Sequence, residues 1–352
     1  MRCHDVAPPV LAGAPRERGA ALAQLGAAHA AAIRQRAESA AAYVASVGSE
    51  DWLVRQWQVQ VALLPEVAAF IEGLADGHGL PTLSLFAGHI RYAIEDRAAE
   101  DAECSTFAIV QDGTVRLAKN RDNPAAMRPM QALLRQEDRA WRGGAVFSVG
   151  SVGSIPSASS GINQAGFCMT DTAVRTRDVG IGALRYYLME AMLARCTSVA
   201  EAIALIRGLP HVGGGNLMLA DRSGAAATVE LGHSSVAVTE LSAPGWLART
   251  NHHLDAALAS RLKEPPGTVP RENSESRLRR LQRALASGPE VWCVEACAAL
   301  LAAHEDTTGE AALCRHGTET STHSGVVYDP VVGVLHLSRG NPCEPDWIRA
   351  TF

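Results

Sequence analysis

The sequence lacks several features that would assign it to a familiar class at once. It has no CxxC motif, no dense block of lysine and arginine, and no run of about 18 apolar residues of the kind that spans a bilayer. Its N-terminus has no basic leader followed by a long apolar core, which argues against a secretory signal. With a net charge of −5, neither nucleic acid nor a membrane is expected as a partner. We expect a cytoplasmic protein.

The cysteines are scattered and form no tight framework, and a chain of 352 residues is too long to need disulfide staples. Most should therefore be buried reduced thiols. Cys293 and Cys297 lie four apart on a predicted helix, but no second pair follows nearby, so no zinc site is expected. The eight cysteines are Cys3, Cys104, Cys168, Cys196, Cys293, Cys297, Cys314 and Cys343.

The predicted secondary structure changes near residue 104, from helices to hairpins. Residues 18–46, the stretch "ALLPEVAAFIEGLADGHGL" and residues 82–96 all show helical spacing, so the first hundred residues are predicted to be almost purely helical. Beyond them, "STFAIVQDGTVRLAKN", "NLMLADRSGAAATVEL" and "SGVVYDPVVGVLHLS" each read as two strands around turn residues. Helical stretches lie between these hairpins, and "VGGGN" is interpreted as a strand start because no GKS/T follows it. The pattern predicts an α+β sandwich, two β layers covered by helices.

The first hairpin gathers chemical groups at one edge of its sheet. A two-residue turn at 112–113 gives cross-strand partners whose numbers sum to 225. Cys104 then lies opposite Arg121, and a slip of one residue would place it opposite Asp122. Cys104 therefore starts one strand where Asn120 and Asp122 end its neighbour, within side-chain reach. A potential nucleophile, a carboxylate and an amide are predicted to converge there.

A thiol needs a base to react at neutral pH, because its ordinary pKa is about 8.5. One solution is a histidine oriented by an amide, for which His252 and His253 are candidates. Another is cleavage of the peptide bond before Cys104, which would create an α-amine with a pKa of roughly 7.7–8.0 beside the thiol. The plain alternative is a buried structural thiol, with Asp122 capping the turn after it.

Several stretches, in this order, resemble the isopenicillin N acyltransferase (acyl-coenzyme A:6-aminopenicillanic acid acyltransferase) family of autoproteolytic N-terminal-nucleophile (Ntn) hydrolases. They are "LPEVAAFIEGLADGHGLPTLSLFAGHIRYAIE", "ECSTFAIVQDGTVRLAKNRD", "SGINQAGFCMTDTAV", "GGGNLMLADRSGAAATVEL", "ARTNHHLD", "NSESRLRRL" and "SGVVYDPVVGVLHLSRGNPC". The resemblance covers roughly residues 55–345, and the ordered set is more specific than any single motif.

The resemblance implies a four-layer αββα Ntn-hydrolase sandwich of two antiparallel sheets, preceded by a helical segment. It implies a precursor cut between Glu103 and Cys104 into a helical small subunit, residues 1–103, and a catalytic large subunit, residues 104–352. The two fragments would stay associated, and Cys104 would become the N-terminal nucleophile. Glu103 stands where the penicillin enzyme has glycine.

The same resemblance implies roles for further residues. Asn251 would donate to the oxyanion, Asp122 would orient the α-amine or the thiol, and Asn120 and Arg277 would support the site. Lys119 stands where the related bile-salt and penicillin V amidases carry an arginine, and one ammonium cannot reproduce a bidentate fork. Taken alone, Asn251 could equally cap a helix, and Arg277 could belong to a solvated basic face.

The implied reaction is hydrolysis or acyl transfer through an acyl-Cys104 intermediate. Its substrate would be an amide or thioester of a small acylated or peptide-like molecule, possibly an acyl-coenzyme A, and no metal or organic cofactor would be needed. Acyl-coenzyme A-dependent N-acylation in natural-product metabolism and an unprocessed, non-catalytic ligand-binding relative are the alternatives.

Overall fold

The fold was obtained as a computed structural model that describes residues 1–95, 103–241, 244–305 and 307–352. Strands and helices are numbered separately in chain order. The strands are β1 (Arg2–Asp5), β2 (Val10–Ala12), β3 (Ser105–Gln111), β4 (Thr114–Pro124), β5 (Gln131–Glu137), β6 (Val146–Ser151), β7 (Ser160–Asn163), β8 (Cys168–Thr172), β9 (Asn216–Ala220), β10 (Ala226–Leu231), β11 (Val236–Leu241), β12 (Gly245–Arg249), β13 (Thr320–Asp329), β14 (Val334–Ser338) and β15 (Asp346–Thr351).

Helices precede the main strands and also lie between them. Short 3₁₀ turns occur at Ala27–His29 and Ala125–Met130. Among the described residues, no helix combines the length and the apolar character that crossing a bilayer requires. The helices are α1 (Pro15–Leu25), α2 (Ala30–Ser46), α3 (Glu50–Leu63), α4 (Pro65–His78), α5 (Thr82–Ile94), α6 (Arg185–Arg195), α7 (Val199–Arg207), α8 (Ala256–Ala259), α9 (Val269–Ala286) and α10 (Val294–Leu301).

The strands form two sheets that pack face to face. The first sheet has the order β1-β15-β14-β13-β4-β3-β12, and the second has the order β11-β10-β9-β8-β7-β6-β5-β2. Alternate residues of both sheets, among them Ala108, Leu117, Phe147 and Met218, fill the core between them. The strand pairs are antiparallel except for two at the edges, β1 with β15 and β2 with β5.

Helices cover the outer face of each sheet. Leu278 and Leu281 of α9 and Leu301 of α10 pack with Phe107 and Ala118 of the first sheet. Helices α6 and α7 cover the second sheet in the same way, through a separate apolar cluster. The order of layers is therefore helix, sheet, sheet, helix, so the αββα sandwich predicted from the sequence is confirmed.

The predicted hairpins and the register of the first one are confirmed. Gln111 pairs with Thr114 and Ser105 pairs with Asn120, so partners sum to 225. Asp112 and Gly113 both have positive φ, 49° and 73°, as a type I′ turn requires. Cys104 directly precedes β3. Because the pairing continues to Ser105, Cys104 lies at the same edge of the sheet as Asp122, near the end of β4.

The prediction of an almost purely helical N-terminal segment is wrong at its start. Strand β1 pairs in parallel with β15, and β2 pairs in parallel with β5. Strands of four and three residues are too short to show a period, and their partners lie more than a hundred residues away. Pro65, which cannot donate a backbone hydrogen bond, also divides the second predicted helix into α3 and α4.

The N-terminal segment is built into the sandwich. The buried Arg18 guanidinium donates to the Asp138 carboxylate at 2.6 Å, and the Gln60 side-chain amide donates to the Gly182 carbonyl at 2.7 Å. Residues 1–95 therefore share both sheets and part of the core with the rest of the chain. The boundary between residues 103 and 104 stays a prediction.

Helices α1 and α4 approach closely enough that only glycine fits between them. A Cβ on Gly73 would collide with the Arg16 carbonyl, and a Cβ on Gly19 would collide with the Phe70 carbonyl. Backbone atoms cannot swing away as a side chain would, so we expect Gly73→Ala to lower the free energy of unfolding by about 1–3 kcal/mol. Urea unfolding followed by circular dichroism measures this change.

Gly88 of α5 provides the matched control. A Cβ there would meet nothing closer than the Ala37 Cα at 3.9 Å, which is an ordinary contact. Because alanine is the better helix former, Gly88→Ala should leave stability unchanged or raise it by up to about 1 kcal/mol. Equal effects of the two substitutions would contradict the close packing of α1 on α4.

Candidate active site

Cys104 is buried where β3 begins, with only 5% of its surface exposed. Its Sγ lies 4.0 Å from the backbone carbonyl of Asp122. Burial raises the pKa of the thiol, and the nearby positive charge of Lys119 opposes that rise. In this structure the thiol is therefore shielded and protonated at neutral pH.

Arg277 joins the start of β3 to the other predicted site residues. It is fully buried on α9, and its Nη1 donates to the Cys104 carbonyl at 2.7 Å and to the Ser105 hydroxyl at 2.9 Å. Its Nη2 donates to the Asn251 side-chain oxygen at 2.9 Å, and its Nε donates to Asn273 at 2.7 Å. The alternative of a solvated basic face does not hold for this residue. A planar guanidinium with donors on all three nitrogens suits this arrangement.

Asn251 follows β12 and is held on both sides. Its backbone N–H donates to the Ser274 hydroxyl at 2.8 Å, and its side-chain Nδ2 donates to the Ala173 carbonyl at 2.8 Å. Since Arg277 binds its side-chain oxygen, the orientation of the carboxamide is fixed. Asn251 and Arg277 thus lie next to each other, although 26 residues separate them in the sequence.

Asp122 is a buried carboxyl group near the end of β4, with no exposed surface. Neither of its oxygens makes a hydrogen bond of normal geometry with another described residue. Burial raises its pKa to about 7, against the opposing influence of Arg277, Thr322 and Lys119. Such a group accepts or releases a proton near neutral pH, and a new cation beside it would be stabilised.

Asn120 has contacts typical of a scaffold residue. Its Nδ2 donates to the carbonyls of Leu301, at 2.7 Å, and Leu313, at 2.8 Å. These bonds attach β4 to the end of α10 and to the loop that follows it. Its predicted support of the site stays a prediction, and the structure shows how such support would act, through the position of β4.

Lys119 belongs to a buried ionic cluster that the sequence did not reveal. Its Nζ lies 2.6 Å from a carboxylate oxygen of Asp171 and 3.1 Å from the Ser159 carbonyl. The other Asp171 oxygen accepts from Arg185 Nε at 3.0 Å. Asp171 and Arg185 lie in stretches that read as an ordinary strand and helix start. The one available signal was a charged residue, Asp171, within the short strand β8.

Glu103, the residue before the candidate nucleophile, is also buried and forms an ion pair with Arg315. Arg315 lies on the loop between α10 and β13, whose backbone is attached to β13: Arg315 N–H donates to the Thr322 hydroxyl at 2.8 Å. Sequence reasoning missed Arg315. The residues on both sides of the predicted cleavage point, Glu103 and Cys104, are therefore each held by an arginine.

The two histidines considered as bases contact residues other than Cys104. His252 Nδ1 is 2.8 Å from the Ser274 hydroxyl, and His253 Nε2 is 3.4 Å from the Gly215 carbonyl. Burial lowers the pKa of both, to about 4 for His252. Within the described part of the chain neither ring makes a hydrogen bond to Cys104, so the geometry does not favour a Cys-His pair.

The two-sheet sandwich covered by helices has the architecture that the resemblance to the Ntn-hydrolases implied. The sequence model of the family described as acyl-coenzyme A:6-aminopenicillanic acid acyl-transferase matches residues 110–343, well over half of the chain. The chain belongs to this family. The match begins after Cys104, so it does not itself test the nucleophile.

Solved structures include weaker likenesses. A mutant of the conjugated bile acid hydrolase from Clostridium perfringens is 12% identical over 66% of this chain and 88% of that chain, with a TM-score of 0.41. Penicillin V acylase from Agrobacterium tumefaciens is 12% identical over 70% of this chain and 85% of that chain, with a TM-score of 0.37. None of the curated proteins matches the sequence significantly. Likeness at this level indicates nothing about a shared substrate.

The raised pKa of Asp122 predicts that this buried carboxyl lowers the stability of the whole chain by an amount that depends on pH. The folded carboxyl keeps its proton up to a pKa of about 7, against an ordinary value of 3.8, so stability falls as the pH rises between these values. Asp122→Asn removes that dependence. Two proteins are compared, both with Cys104→Ala, one with Asp122→Asn and one that keeps Asp122. Between pH 5 and pH 8, the difference in their free energies of unfolding should change by about 2–3 kcal/mol in favour of the asparagine protein.

Urea unfolding at the two pH values measures this difference. Any cost of placing an asparagine amide in the site is the same at both values and cancels. A stability difference that does not change with pH would show that Asp122 titrates normally and would contradict the buried carboxyl described above.

Proposed function

We propose that this protein is a self-processing cysteine Ntn amidohydrolase or acyltransferase whose nucleophile is Cys104. Its substrate is an amide or thioester of a small acylated or peptide-like molecule, and the reaction passes through an acyl-Cys104 intermediate. Family membership supports the class. The observation that carries the residue assignments is the convergence of Cys104, Asn251 and Arg277, three residues from distant parts of the chain.

Processing begins in the precursor. The Cys104 thiol attacks the Glu103 carbonyl carbon, the peptide C–N bond breaks, and the acyl group moves from nitrogen to sulfur. Water then hydrolyses the thioester, which gives a Glu103 carboxylate, a free Cys104 thiol and a new α-amine. The ion pair of Glu103 with Arg315 and the Arg277 bond to the Cys104 carbonyl support this step because they fix the bond on both sides.

Cleavage changes the electrostatics of the site. The new α-amine, with an ordinary pKa of roughly 7.7–8.0, lies on the residue whose Sγ is 4.0 Å from the Asp122 backbone. The neutral amine takes the thiol proton as general base, which gives a thiolate and an α-ammonium. The Asp122 carboxyl, which makes no hydrogen bond of normal geometry with another described residue in the uncut chain, gains this cationic neighbour, ionises more readily and orients it.

In the mature enzyme the thiolate attacks the substrate carbonyl carbon. The proposal assigns the Asn251 side-chain amide as a donor to the oxyanion of the tetrahedral intermediate, a contribution on the order of 3 kcal/mol. The protonated α-amine returns its proton to the leaving amine or thiol. Water or an acceptor amine then takes the acyl group from Cys104.

No metal or organic cofactor takes part in these steps. Hydrolysis and transfer differ in whether water or an amine reaches the acyl-cysteine. For transfer, the acyl donor is an amide or a thioester such as an acyl-coenzyme A. The two fragments of the cut chain stay together in this proposal, because β1 and β2 belong to the sheets of the large fragment.

The mass of the purified protein tests self-processing. The wild-type chain should give two fragments that divide between Glu103 and Cys104 and elute together, whereas Cys104→Ala should stay whole. Cys168→Ala is the matched control because Cys168 is a buried free thiol on another strand, and it should be cut as the wild type is. A wild-type chain that stays whole would support the non-catalytic relative instead.

A conventional cysteine hydrolase with a Cys-His pair would behave differently, and the same protein tests it. In that mechanism the wild-type chain stays whole, and His252→Ala or His253→Ala abolishes turnover. Under the Ntn proposal, wild-type cleavage is independent of either ring as a base. Loss of activity in both histidine variants, with an uncut wild type, would replace the proposal with a conventional cysteine hydrolase.

Burst kinetics identify the reaction. With a panel of acyl amides and acyl thioesters, we expect a burst of the leaving group equal to about one per active site, followed by slower turnover. An added amine that speeds turnover and appears in the product indicates transfer, and one without effect indicates hydrolysis. Absence of both burst and turnover across the panel, in a cleaved protein, would count against an acyl-cysteine enzyme.

A further inference from the structure

Four side chains of metal-binding types meet where the loop between α10 and β13 contacts the loop between β14 and β15. They are His304, Cys314, His316 and Cys343, and their ligand atoms all lie within 4.8 Å of one another. The Nε2 atom of His316 is central: it is 3.2 Å from His304 Nε2, 3.5 Å from Cys314 Sγ and 3.3 Å from Cys343 Sγ.

The three distances from His316 Nε2 are close to those between neighbouring ligand atoms of a tetrahedral zinc site. With Zn–S near 2.3 Å and Zn–N near 2.0–2.1 Å, neighbouring ligand atoms of a tetrahedron stand about 3.3–3.8 Å apart. Two thiolates and two imidazoles are the ligand set of closed structural zinc sites. We propose that His304, Cys314, His316 and Cys343 bind one zinc ion with a structural role.

The backbone holds the ligands in place without the ion. Leu313 and Cys314 N–H groups donate to the Ala303 carbonyl at 2.9 and 3.0 Å, which keeps Cys314 beside His304. His316 forms a bridge with Ser321 at the start of β13. A site whose ligands are already assembled loses little conformational entropy when the ion binds.

The surroundings also suit a metal centre. Asn341 Nδ2 lies 3.5 Å from Cys314 Sγ and donates to the Arg315 carbonyl at 2.7 Å, a contact of the kind that orients a thiolate ligand. Cys314 is buried, whereas Cys343 is exposed, so solvent gives the ion a path to the site. On binding, each thiol gives up its proton to solvent and each imidazole binds in its neutral form.

The position of the cluster means that a bound ion would affect the loop that carries Arg315. Arg315 lies between the ligands Cys314 and His316 and pairs with Glu103, the residue before the candidate nucleophile. An ion there would fix the loop that carries this arginine. That consequence rests on the proposed function, whereas the zinc site itself does not.

Metal analysis of the full-length protein, expressed with zinc and dialysed, tests the site. We expect about one zinc per chain in the wild type, a large loss in Cys343→Ser and in His316→Ala, and no loss in Cys293→Ser. Cys293 is the matched control because it is also an exposed free cysteine but lies at the other end of α10. Cys343→Ser changes an exposed side chain, so its fold can be verified by circular dichroism.

Replacing zinc with cobalt(II) in the wild type gives a readout that does not depend on any variant. We expect the intense visible bands of tetrahedral cobalt together with thiolate-to-metal charge transfer. Less than about one zinc in ten chains with no cobalt bands in reduced protein would overturn the proposal. So would a Cys314–Cys343 disulfide that persists in a reducing buffer. Because metal content is read without substrate, failure here is distinguishable from failure of the proposed enzyme activity.

Discussion

The buried Arg277 guanidinium is the contact on which the candidate site depends. It binds the Cys104 carbonyl, the Ser105 hydroxyl and the Asn251 side chain, so one residue of α9 positions the start of β3 and the segment after β12. A buried cation without such partners would be strongly destabilising, and removing one partner would leave the charge uncompensated. The helix layer and the first sheet are thus joined at the point where the chemistry is proposed to occur. A lysine could not make this set of bonds with one ammonium group.

Burial explains why the uncut chain would be inert and the cut chain active. The Cys104 thiol is shielded and its pKa is raised, and the buried Asp122 carboxyl makes no hydrogen bond of normal geometry with another described residue. A new α-ammonium beside them would favour the ionised form of each group and so lower both pKa values. The proposed cut therefore creates a positive charge next to two buried groups, Cys104 and Asp122, that become more acidic when they have a cationic neighbour. The ion pair of Glu103 with Arg315 fixes the other side of the Glu103–Cys104 peptide bond. The penicillin acyltransferase that the sequence resembles has glycine at the position of Glu103.

Local pattern was enough to predict the hairpins and two β layers covered by helices, and the family resemblance implied the αββα order. Because an Asp-Gly turn fixes a register, local pattern also predicted the convergence of Cys104 with Asp122. It was not enough for β1 and β2, which are strands only because β15 and β5 offer them edges. The Lys119–Asp171–Arg185 cluster and the partner of Glu103 were also missed, since they form between distant segments. The same holds for the proposed zinc ligands: Cys314 and His316 share a short motif, but His304 and Cys343 join them only in the fold.

The proposed function requires that Cys104 become a first residue and carry the acyl group. Mass spectrometry of peptides from protein rapidly quenched during turnover of an acyl amide tests both points at once. We expect a peptide that begins at Cys104 and carries one acyl group on that residue. An acyl group on another residue, or a peptide that runs unbroken through Glu103 and Cys104 in active protein, would contradict it.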